Sequence, residues 1–354
     1  MQSIIVAPSL DSSRNVSGVS AVTLFIIKNN EKCEYIHFMQ GKTDGEKGGF
    51  HRVVRICSAY RKWKQTLKSY PDAVVHYNFP LDAFSIIRDF FFMRRSVKNG
   101  RHTIIHIHGG LFLFKDKKPF LLNYLLKKVF SWDSSFIVLS DKEKKRLEEK
   151  YHPGKVFVLP NCIDLSDASS FERQYTSSTM HVLYLGRIEP NKGMDYMYDA
   201  AKKLKEQDID FVLHFAGVEQ NGCNYIERFE TLLGKQFVYE GIVSGKKKTE
   251  LLQSCMVFLL PSFYEGLPIS LLECMSFGMV PVTTDVGSIS DFVKEGETGL
   301  FVKVKDVDSI VDALIRLAED NQLRIKISQQ AKEMIIKKLA PHSYIGKLNA
   351  IYGD

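Results

Sequence analysis

Residues 255–282, CMVFLLPSFYEGLPISLLECMSFGMVPV, contain the pattern that decides the fold. The apolar run MVFLL predicts a buried strand, and the turn at Pro261 leads into a loop that carries Glu265 and Gly266. A helix is predicted from about Pro268, because proline fits the first turn of a helix, where its missing N–H is not needed. The apolar run MVPV then predicts a second buried strand. A strand, a helix and another strand in this order indicate a parallel α/β unit.

Further segments rich in Ile, Val and Phe predict strands throughout the chain. They are SIIVAPS, EYIHFM, AVVHYNF, HTIIHIHGG, SSFIVLS and KVFVLPN in the first half, and HVLYLGR, FVLHFAG, QFVYEG, VPVTTDVG and TGLFVKV in the second. Helices are predicted over 135–150, with Ser140 as the N-cap, and over 306–335, where apolar residues recur at helical spacing. Strands that alternate with helices predict an α/β fold with two doubly wound, Rossmann-like domains.

The polar segment 164–179, DLSDASSFERQYTSST, lies between two predicted strands and indicates a domain boundary. A chain of 354 residues is long enough for two domains with a core each. We expect an N-terminal domain over 1–168, a C-terminal domain over 169–340, and a final helix over 341–354 that packs back on the N-terminal domain.

The composition excludes several classes of protein. No stretch approaches the ~20 apolar residues of a membrane-spanning helix, and the N-terminus MQSIIVAPSL lacks the basic start of a secretory signal. The six cysteines are scattered without metal-ligand spacing, so they are expected to be reduced thiols. These features predict a cytoplasmic protein, attached at most peripherally to a membrane, that binds no metal and needs no cofactor.

The charge is divided unequally between the two halves. Residues 1–170 contain 27 Lys and Arg against 16 Asp and Glu, whereas residues 171–354 contain 21 against 25. A basic half indicates an anionic partner, such as a membrane surface, a nucleic acid or a phosphorylated substrate, although a basic surface also serves solubility alone. Segments 84–101 and 112–130 mix aromatic residues with Lys and Arg, as helices at an anionic membrane do. The alternative is that they pack their apolar faces inside the domain.

The loop in LYLGRIEPNKGMDYMYDA, residues 183–200, is a candidate diphosphate site. A strand ends at Gly186, and Arg187 and Lys192 flank a turn before the next helix. Two cations beside a helix N-terminus favour a diphosphate, because the helix end adds partial positive charge. The alternative interpretation is a solvated loop with incidental charges.

Two features of the first half are weaker candidates. Gly18, just before an apolar helix, would let backbone N–H groups approach a phosphate. The strand HTIIHIHGG ends at His108, which is predicted to emerge into a crevice, whereas His106 is interpreted as a core residue. No G-x-G-x-x-G follows the first strand, so a nicotinamide cofactor is not indicated.

Glu265 and Glu273 lie eight positions apart, the first in a loop and the second on an apolar helix. A carboxylate in SLLECMSF needs a polar partner. Retaining hydrolases hold two carboxylates about 5 Å apart as acid and nucleophile. A loop position and a helix position fit that role poorly, so the two glutamates are expected to bind different parts of one ligand.

The motifs GRIEPNKG, PSFYEGLPISLLECMSFGMVPVTTDVGSISD and EGETGLFV, together with IHIHGG and VLPNCID, resemble those of family 4 retaining glycosyltransferases, which have the GT-B fold. The resemblance implies that the C-terminal domain binds a nucleoside-diphosphate sugar without a metal ion. It implies that Arg187 and Lys192 stabilise the leaving diphosphate and that Glu265 binds the transferred sugar. The remaining donor contacts that it implies are Gly18, Gly186, Gly266, Leu267, Pro268, Glu273 for the ribose, and His108 for the sugar.

The expected activity is therefore transfer of a sugar to a carbohydrate or lipid-linked acceptor in surface polysaccharide assembly. Two alternatives remain open. A nucleotide-sugar epimerase with the same fold would need no acceptor, and a basic nucleic-acid-binding protein would use the first half. The second is disfavoured because the basic residues are dispersed and no nucleic-acid motif is present.

Overall fold

The computed structural model describes residues 1–11, 17–41, 50–109, 111–115, 117–175 and 179–353, except for the side chains of residues 50–53 and 111. The chain divides into two units, Met1–Cys162 with Pro341–Asp354, and Ile163–Ala340. Each unit contains a six-stranded sheet. Among the described residues, no helix has the length and apolar composition needed to cross a bilayer.

The first unit is a parallel sheet with helices connecting its strands. Its strands are β1 (Gln2–Ala7), β2 (Glu34–Met39), β3 (Val74–Phe79), β4 (Thr103–Ile107), β5 (Ser135–Val138) and β6 (Lys155–Val158). Its helices are α1 (Gly18–Asn29), α2 (Phe50–Ser69), α3 (Ala83–Lys98), α4 (Leu111–Phe114), α5 (Phe120–Phe130), α6 (Asp141–Tyr151) and, at the end of the chain, α14 (Pro341–Gly353). The strand order is β2-β1-β3-β4-β5-β6. The sheet grows from β1 to one side through β2 and to the other side through β3, so the order reverses between β1 and β3. In such sheets ligands bind at the carboxyl ends of the strands where the order reverses.

The second unit repeats this architecture with a different strand order. Its strands are β7 (Met180–Leu185), β8 (Phe211–Ala216), β9 (Phe237–Gly241), β10 (Val257–Leu260), β11 (Val280–Thr284) and β12 (Leu300–Val302). Its α-helices are α7 (Ser166–Ser170), α8 (Met194–Glu206), α9 (Tyr225–Leu233), α10 (Gly245–Ser254), α11 (Ile269–Ser276), α12 (Val307–Glu319) and α13 (Asn321–Lys338), with 3-10 turns at Pro190–Lys192, Gly234–Gln236 and Ile289–Asp291. The order β12-β11-β10-β7-β8-β9 is that of dinucleotide-binding sheets, and it reverses between β7 and β10.

The predicted α/β class and all the predicted strands are confirmed, but two helix boundaries were wrong. The helix predicted over 135–150 begins only at Asp141, because Ser140 is extended and its Oγ accepts the N–H of Glu143 at 3.2 Å. The helix predicted over 306–335 is two helices. Asp320 leaves the helical conformation and caps the second one, with Oδ1 accepting the N–H of Leu323 at 2.8 Å.

The core of the first unit surrounds Trp63 of α2, which is fully buried and packs on Phe38 at a ring-centroid distance of 4.7 Å. Helix α14 belongs to this unit. Its Asn349 accepts a hydrogen bond from Asn30 at 2.8 Å, and its Tyr344 ring meets Phe25 of α1 edge to face at 5.7 Å. The last helix therefore covers the α1 side of the first sheet.

Candidate functional site

The second unit joins the loops that follow β7 and β10, where its strand order reverses. The N–H of Phe263 donates to the carbonyl of Asn191 at 2.9 Å. Gly193 has φ of +80°, and a Cβ there would lie 2.4 Å from the Pro261 carbonyl oxygen. Only glycine permits both this conformation and this contact, so the sequence fixes how closely the two loops approach.

Lys192 and Glu265 form an ion pair across these loops. Lys192 Nζ lies 2.7 Å from Glu265 Oε1, and Ser262 Oγ donates to the same oxygen at 2.7 Å. The Glu265 side chain is only 11% exposed. Glu265 Oε2 accepts no hydrogen bond from the part of the chain that the structure describes. One carboxylate oxygen is therefore held in place while the other can accept hydrogen bonds from a ligand.

The segment after β11 fixes the Glu265 loop from a second side. The N–H of Ser288 donates to the Gly266 carbonyl at 2.9 Å. Gly287 has φ of +61°, and a Cβ there would lie 2.3 Å from the Glu265 carbonyl oxygen. The loop is thus anchored through its backbone, which leaves its side chain for binding.

Arg187 and Gly186 lie on the same loop as Lys192. The N–H of Gly186 donates to Ala216 at 2.9 Å, and the Arg187 carbonyl accepts the hydroxyl of Tyr184. Burial, reinforced by the charge of Glu265, raises the pKa of Tyr184 well above its usual range, so this hydroxyl remains a donor. The exposed Arg187 side chain and Lys192 place two cations just before α8.

Glu273 forms a second ion pair on α11. Its Oε1 accepts from Lys248 Nζ of α10 at 2.6 Å, and the two side chains are 19% and 30% exposed. This is the polar partner that the apolar helix required. The two glutamates belong to different ion pairs, and their separate binding roles stay a prediction. Between them, Leu267 is buried and Pro268 occupies the N-cap of α11.

The candidates of the first unit lie at the carboxyl edge of its sheet. Gly18 is the first residue of α1, and residues 12–16 before it lie outside the described part of the chain. His108 follows β4, is partly buried, and its Nε2 lies 2.6 Å from Asn78 Oδ1. His106 is fully buried, which confirms its interpretation as a core residue.

Three residues of the candidate site were missed by sequence reasoning. Ser262 directly follows the predicted turn at Pro261, and Asn78 lies inside the apolar strand VVHYNF. Lys248 ends a run of three lysines that resembles a solvated helix face. The unusual polar residue in an apolar strand was a usable signal for Asn78, but nothing local distinguished Lys248 from its neighbours.

Comparisons with known proteins match two glycosyltransferase family models to this chain. The family model "Glycosyl transferases group 1" matches residues 169–334, and "Glycosyltransferase Family 4" matches residues 43–167. The chain is 26% identical over 273 residues to UDP-Gal:alpha-D-GlcNAc-diphosphoundecaprenol alpha-1,3-galactosyltransferase of Escherichia coli, covering 72% of this chain and 70% of that protein.

Solved structures share the fold. Sucrose-phosphate synthase from Thermosynechococcus elongatus superposes with a TM-score of 0.80 at 14% identity, covering 99% of this chain and 98% of that one. Anabaena HepE in complex with UDP-glucose superposes with a TM-score of 0.73 at 13% identity, with the same coverage. The two parallel six-stranded sheets of the chain and these structural similarities show that it has the GT-B fold. Together, the two family models place the chain in family 4 of the glycosyltransferases.

Proposed function

We propose that this glycosyltransferase is a retaining, metal-independent enzyme that moves a sugar from a nucleoside-diphosphate sugar to a carbohydrate or lipid-linked acceptor in surface polysaccharide assembly. The observation that carries the proposal is the Lys192–Glu265 ion pair at the strand reversal of the second unit. The name of the E. coli relative specifies a UDP-galactose donor and a diphosphoundecaprenol-linked acceptor, and HepE binds UDP-glucose. The first supports the proposed donor and acceptor classes, and the second supports the donor class.

Charge stabilisation of the leaving group is assigned to Arg187 and Lys192. The bond between the sugar and the diphosphate breaks in the reaction, so negative charge develops on the departing phosphate oxygen. Cations placed there stabilise the transition state more than the bound donor, which is what raises kcat. A diphosphate carries at least two negative charges and can compete with Glu265 for Lys192.

The two glutamates would bind opposite ends of the donor. Glu265 offers Oε2 to hydroxyls of the transferred sugar, assisted by the backbone N–H groups of Gly266 and Leu267. Glu273, held by Lys248, accepts hydrogen bonds from the ribose hydroxyls, while Gly186 and Pro268 border the donor. In the first unit, Gly18 approaches a phosphate and His108 accepts a hydrogen bond from a sugar hydroxyl.

Replacing Glu273 by alanine should weaken binding of a nucleoside diphosphate by roughly 10- to 100-fold, because hydrogen bonds to a charged group contribute about 1.5–3 kcal/mol.

Replacing Glu265 by alanine should leave affinity for the nucleoside diphosphate intact, since the substitution releases Lys192 from its ion pair, and should instead reduce discrimination among sugars. Isothermal titration calorimetry with UDP, GDP and ADP and their sugars measures both effects. Glu250→Ala, on the exposed face of α10, is the matched control.

A thermal-shift panel of UDP-, GDP- and ADP-sugars identifies the donor first. If no nucleotide raised the melting temperature of the wild-type protein, the proposal would be refuted. The epimerase alternative is separated by incubating the donor alone, because an epimerase produces an isomerised nucleotide sugar without any acceptor.

The proposed lipid-linked acceptor agrees with an exposed aromatic surface on the first unit. Helices α3 and α5 each bury one apolar face in the core, but they also expose a second one. We define the aromatic surface as Phe84, Ile87 and Phe91 of α3 with Phe120, Leu121 and Tyr124 of α5, which are 40–88% exposed. Exposed cations on the same helices, Arg94, Arg95, Lys98, Lys127 and Lys128, flank it. Aromatic residues bordered by cations match an anionic membrane surface, so we propose peripheral attachment there.

The double substitution Phe91→Glu with Phe120→Glu should weaken sedimentation with phosphatidylglycerol vesicles at least tenfold. Each aromatic side chain loses roughly 1.5–3 kcal/mol of burial, and each new carboxylate is repelled by the anionic lipid. Ile336→Glu, at an exposed apolar position of α13 in the second unit, is the control. Wild-type binding that is absent, or that ignores lipid charge and salt, would contradict membrane attachment.

A further inference from the structure

A hydrogen bond fixes how His108 presents its ring at the carboxyl edge of the first sheet. His108 Nε2 and Asn78 Oδ1 are 2.6 Å apart. Asn78 lies on β3, one of the two strands between which the order reverses. The pair therefore lies at the edge where this sheet type binds ligands.

The amide of Asn78 can adopt only one orientation. Its Nδ2 donates to the Val6 carbonyl at 2.9 Å and contacts Thr23 Oγ1 at 3.3 Å. The Val6 carbonyl can only accept, and the Thr23 hydroxyl already donates to Val19 at 2.8 Å. The atom that faces both groups must be the NH₂, so the atom that faces His108 must be the carbonyl oxygen.

The tautomer of His108 follows from that orientation. An amide oxygen accepts hydrogen bonds, so Nε2 of His108 carries the proton and Nδ1 carries the lone pair. Within the described residues, no hydrogen bond is made to Nδ1. The ring lies against that of His106 at a centroid distance of 4.1 Å and a tilt of 35°, and burial lowers the pKa of His108 to about 3.

The rings beside His108 are also neutral, because burial lowers the pKa of His76 to about 3 and that of His106 well below its usual value. Asn30 donates a hydrogen bond to the Tyr35 hydroxyl at 2.8 Å. The Tyr35 hydroxyl in turn donates to the Tyr352 hydroxyl of α14 at 3.3 Å. The Tyr352 hydroxyl lies 2.7 Å from His76 Nδ1, and His76 Nε2 lies 3.1 Å from His106 Nδ1, so one shared proton satisfies each contact. His76 and His106 each need only one ring proton for these contacts, so no imidazolium lies against His108.

We propose that Asn78 is a positioning residue that holds His108 as the neutral Nε2–H tautomer, with Nδ1 directed to accept a hydrogen bond from a substrate hydroxyl. The proposed function supplies only the identity of that substrate, a sugar. In this state His108 can neither protonate a substrate nor contribute a positive charge. It selects for a sugar that has a hydroxyl at the contacted position, because an analogue without it leaves no donor for Nδ1.

The direct test is ¹⁵N NMR of the histidine rings in the full-length protein, with His108 assigned from the spectrum of His108→Gln. The wild-type protein should show an unprotonated Nδ1 and a protonated Nε2, unchanged from pH 7.5 to pH 5.5. In Asn78→Asp, a carboxylate faces Nε2–H and stabilises the imidazolium, so the ring should titrate at least two pH units higher. Asn78→Leu provides a second variant, in which both tautomers should appear.

Turnover adds a readout that a structural role would not change. In Asn78→Asp, kcat/KM should fall at least tenfold below the new pKa of His108 and recover above it, whereas simple loss of structure would lower it at every pH. A wild-type Nδ1 that is protonated, or an Asn78→Asp ring that titrates like the wild type, overturns the inference. An unprotonated Nδ1 in a protein that binds no nucleotide sugar upholds the role of Asn78 and contradicts the proposed function instead.

Discussion

Lys192→Ala is expected to lower kcat by about 10²- to 10³-fold, the loss typical when one group that stabilises developing charge is removed. Lys192 lies on the loop where the strand order of the second unit reverses, and its Nζ is 2.7 Å from Glu265. In the proposed reaction it balances charge on the departing diphosphate. The effect should fall mainly on kcat, because the interaction strengthens as the bond to the sugar breaks.

The measurement is release of nucleoside diphosphate from the donor identified in the thermal-shift panel. Lys202→Ala is the matched control, since Lys202 lies on the following helix, is 59% exposed and forms an ion pair one helix turn away at 4.0 Å. Glu265 retains the hydrogen bond from Ser262 in the Lys192 variant, so the fold should survive. A variant that kept kcat within threefold of the wild type would remove Lys192 from the catalytic role.

The first unit is expected to lose several kcal/mol of stability between pH 7 and pH 5. Burial, together with the neighbouring His108, lowers the pKa of His76 to about 3, and burial lowers that of His106 well below its usual value. The unfolded chain takes up protons on its histidines below a pKa of about 6.5, while the folded rings stay neutral. The stability that the neutral buried histidines contribute is therefore fully present above about pH 6.5 and is lost as the pH drops towards 3. For His76 alone the loss at pH 5 is about 2 kcal/mol.

Tryptophan fluorescence isolates this effect, because Trp63 and Trp132, the two tryptophans of the chain, both lie in the first unit. Urea unfolding at pH 7, 6 and 5 gives the free energy of unfolding at each pH. His106→Leu should show a smaller loss on acidification than the wild type, and His342→Gln, at an exposed position of α14, should show the same loss. A free energy of unfolding that stays constant from pH 7 to pH 5 would contradict the prediction.

The sequence was sufficient for elements whose signal is local. Apolar runs flanked by turn residues identified the strands, and the loop after LYLG and the loop PSFYEGLP were correctly placed at strand ends. The helix boundaries failed where two signals competed. Residues 135–138 lie in a buried strand, although a helical pattern follows directly, and Asp320 interrupts a helical pattern that continues on both sides.

The ion pairs could not be predicted in the same way. The run Lys246, Lys247 and Lys248 offers three chemically identical candidates, and only the direction in which α10 faces α11 selects Lys248 for Glu273. The interpretation of segments 84–101 and 112–130 was similarly incomplete. Both helices bury an apolar face and expose a second one, and amphipathic spacing alone does not separate these two faces.

By itself, the sequence determined that the chain forms parallel sheets, because its strands are uninterrupted apolar runs, and that Glu265 lies in a loop while Glu273 lies on a helix. Tertiary structure decided which groups meet. Lys192 and Glu265 are 73 positions apart, Lys248 and Glu273 are 25 apart, and Asn78 and His108 are 30 apart. Each pairing depends on which strands and helices lie side by side and on the close approach allowed by Gly193. A local pattern predicts that a carboxylate needs a partner, but only the packing of distant segments selects it.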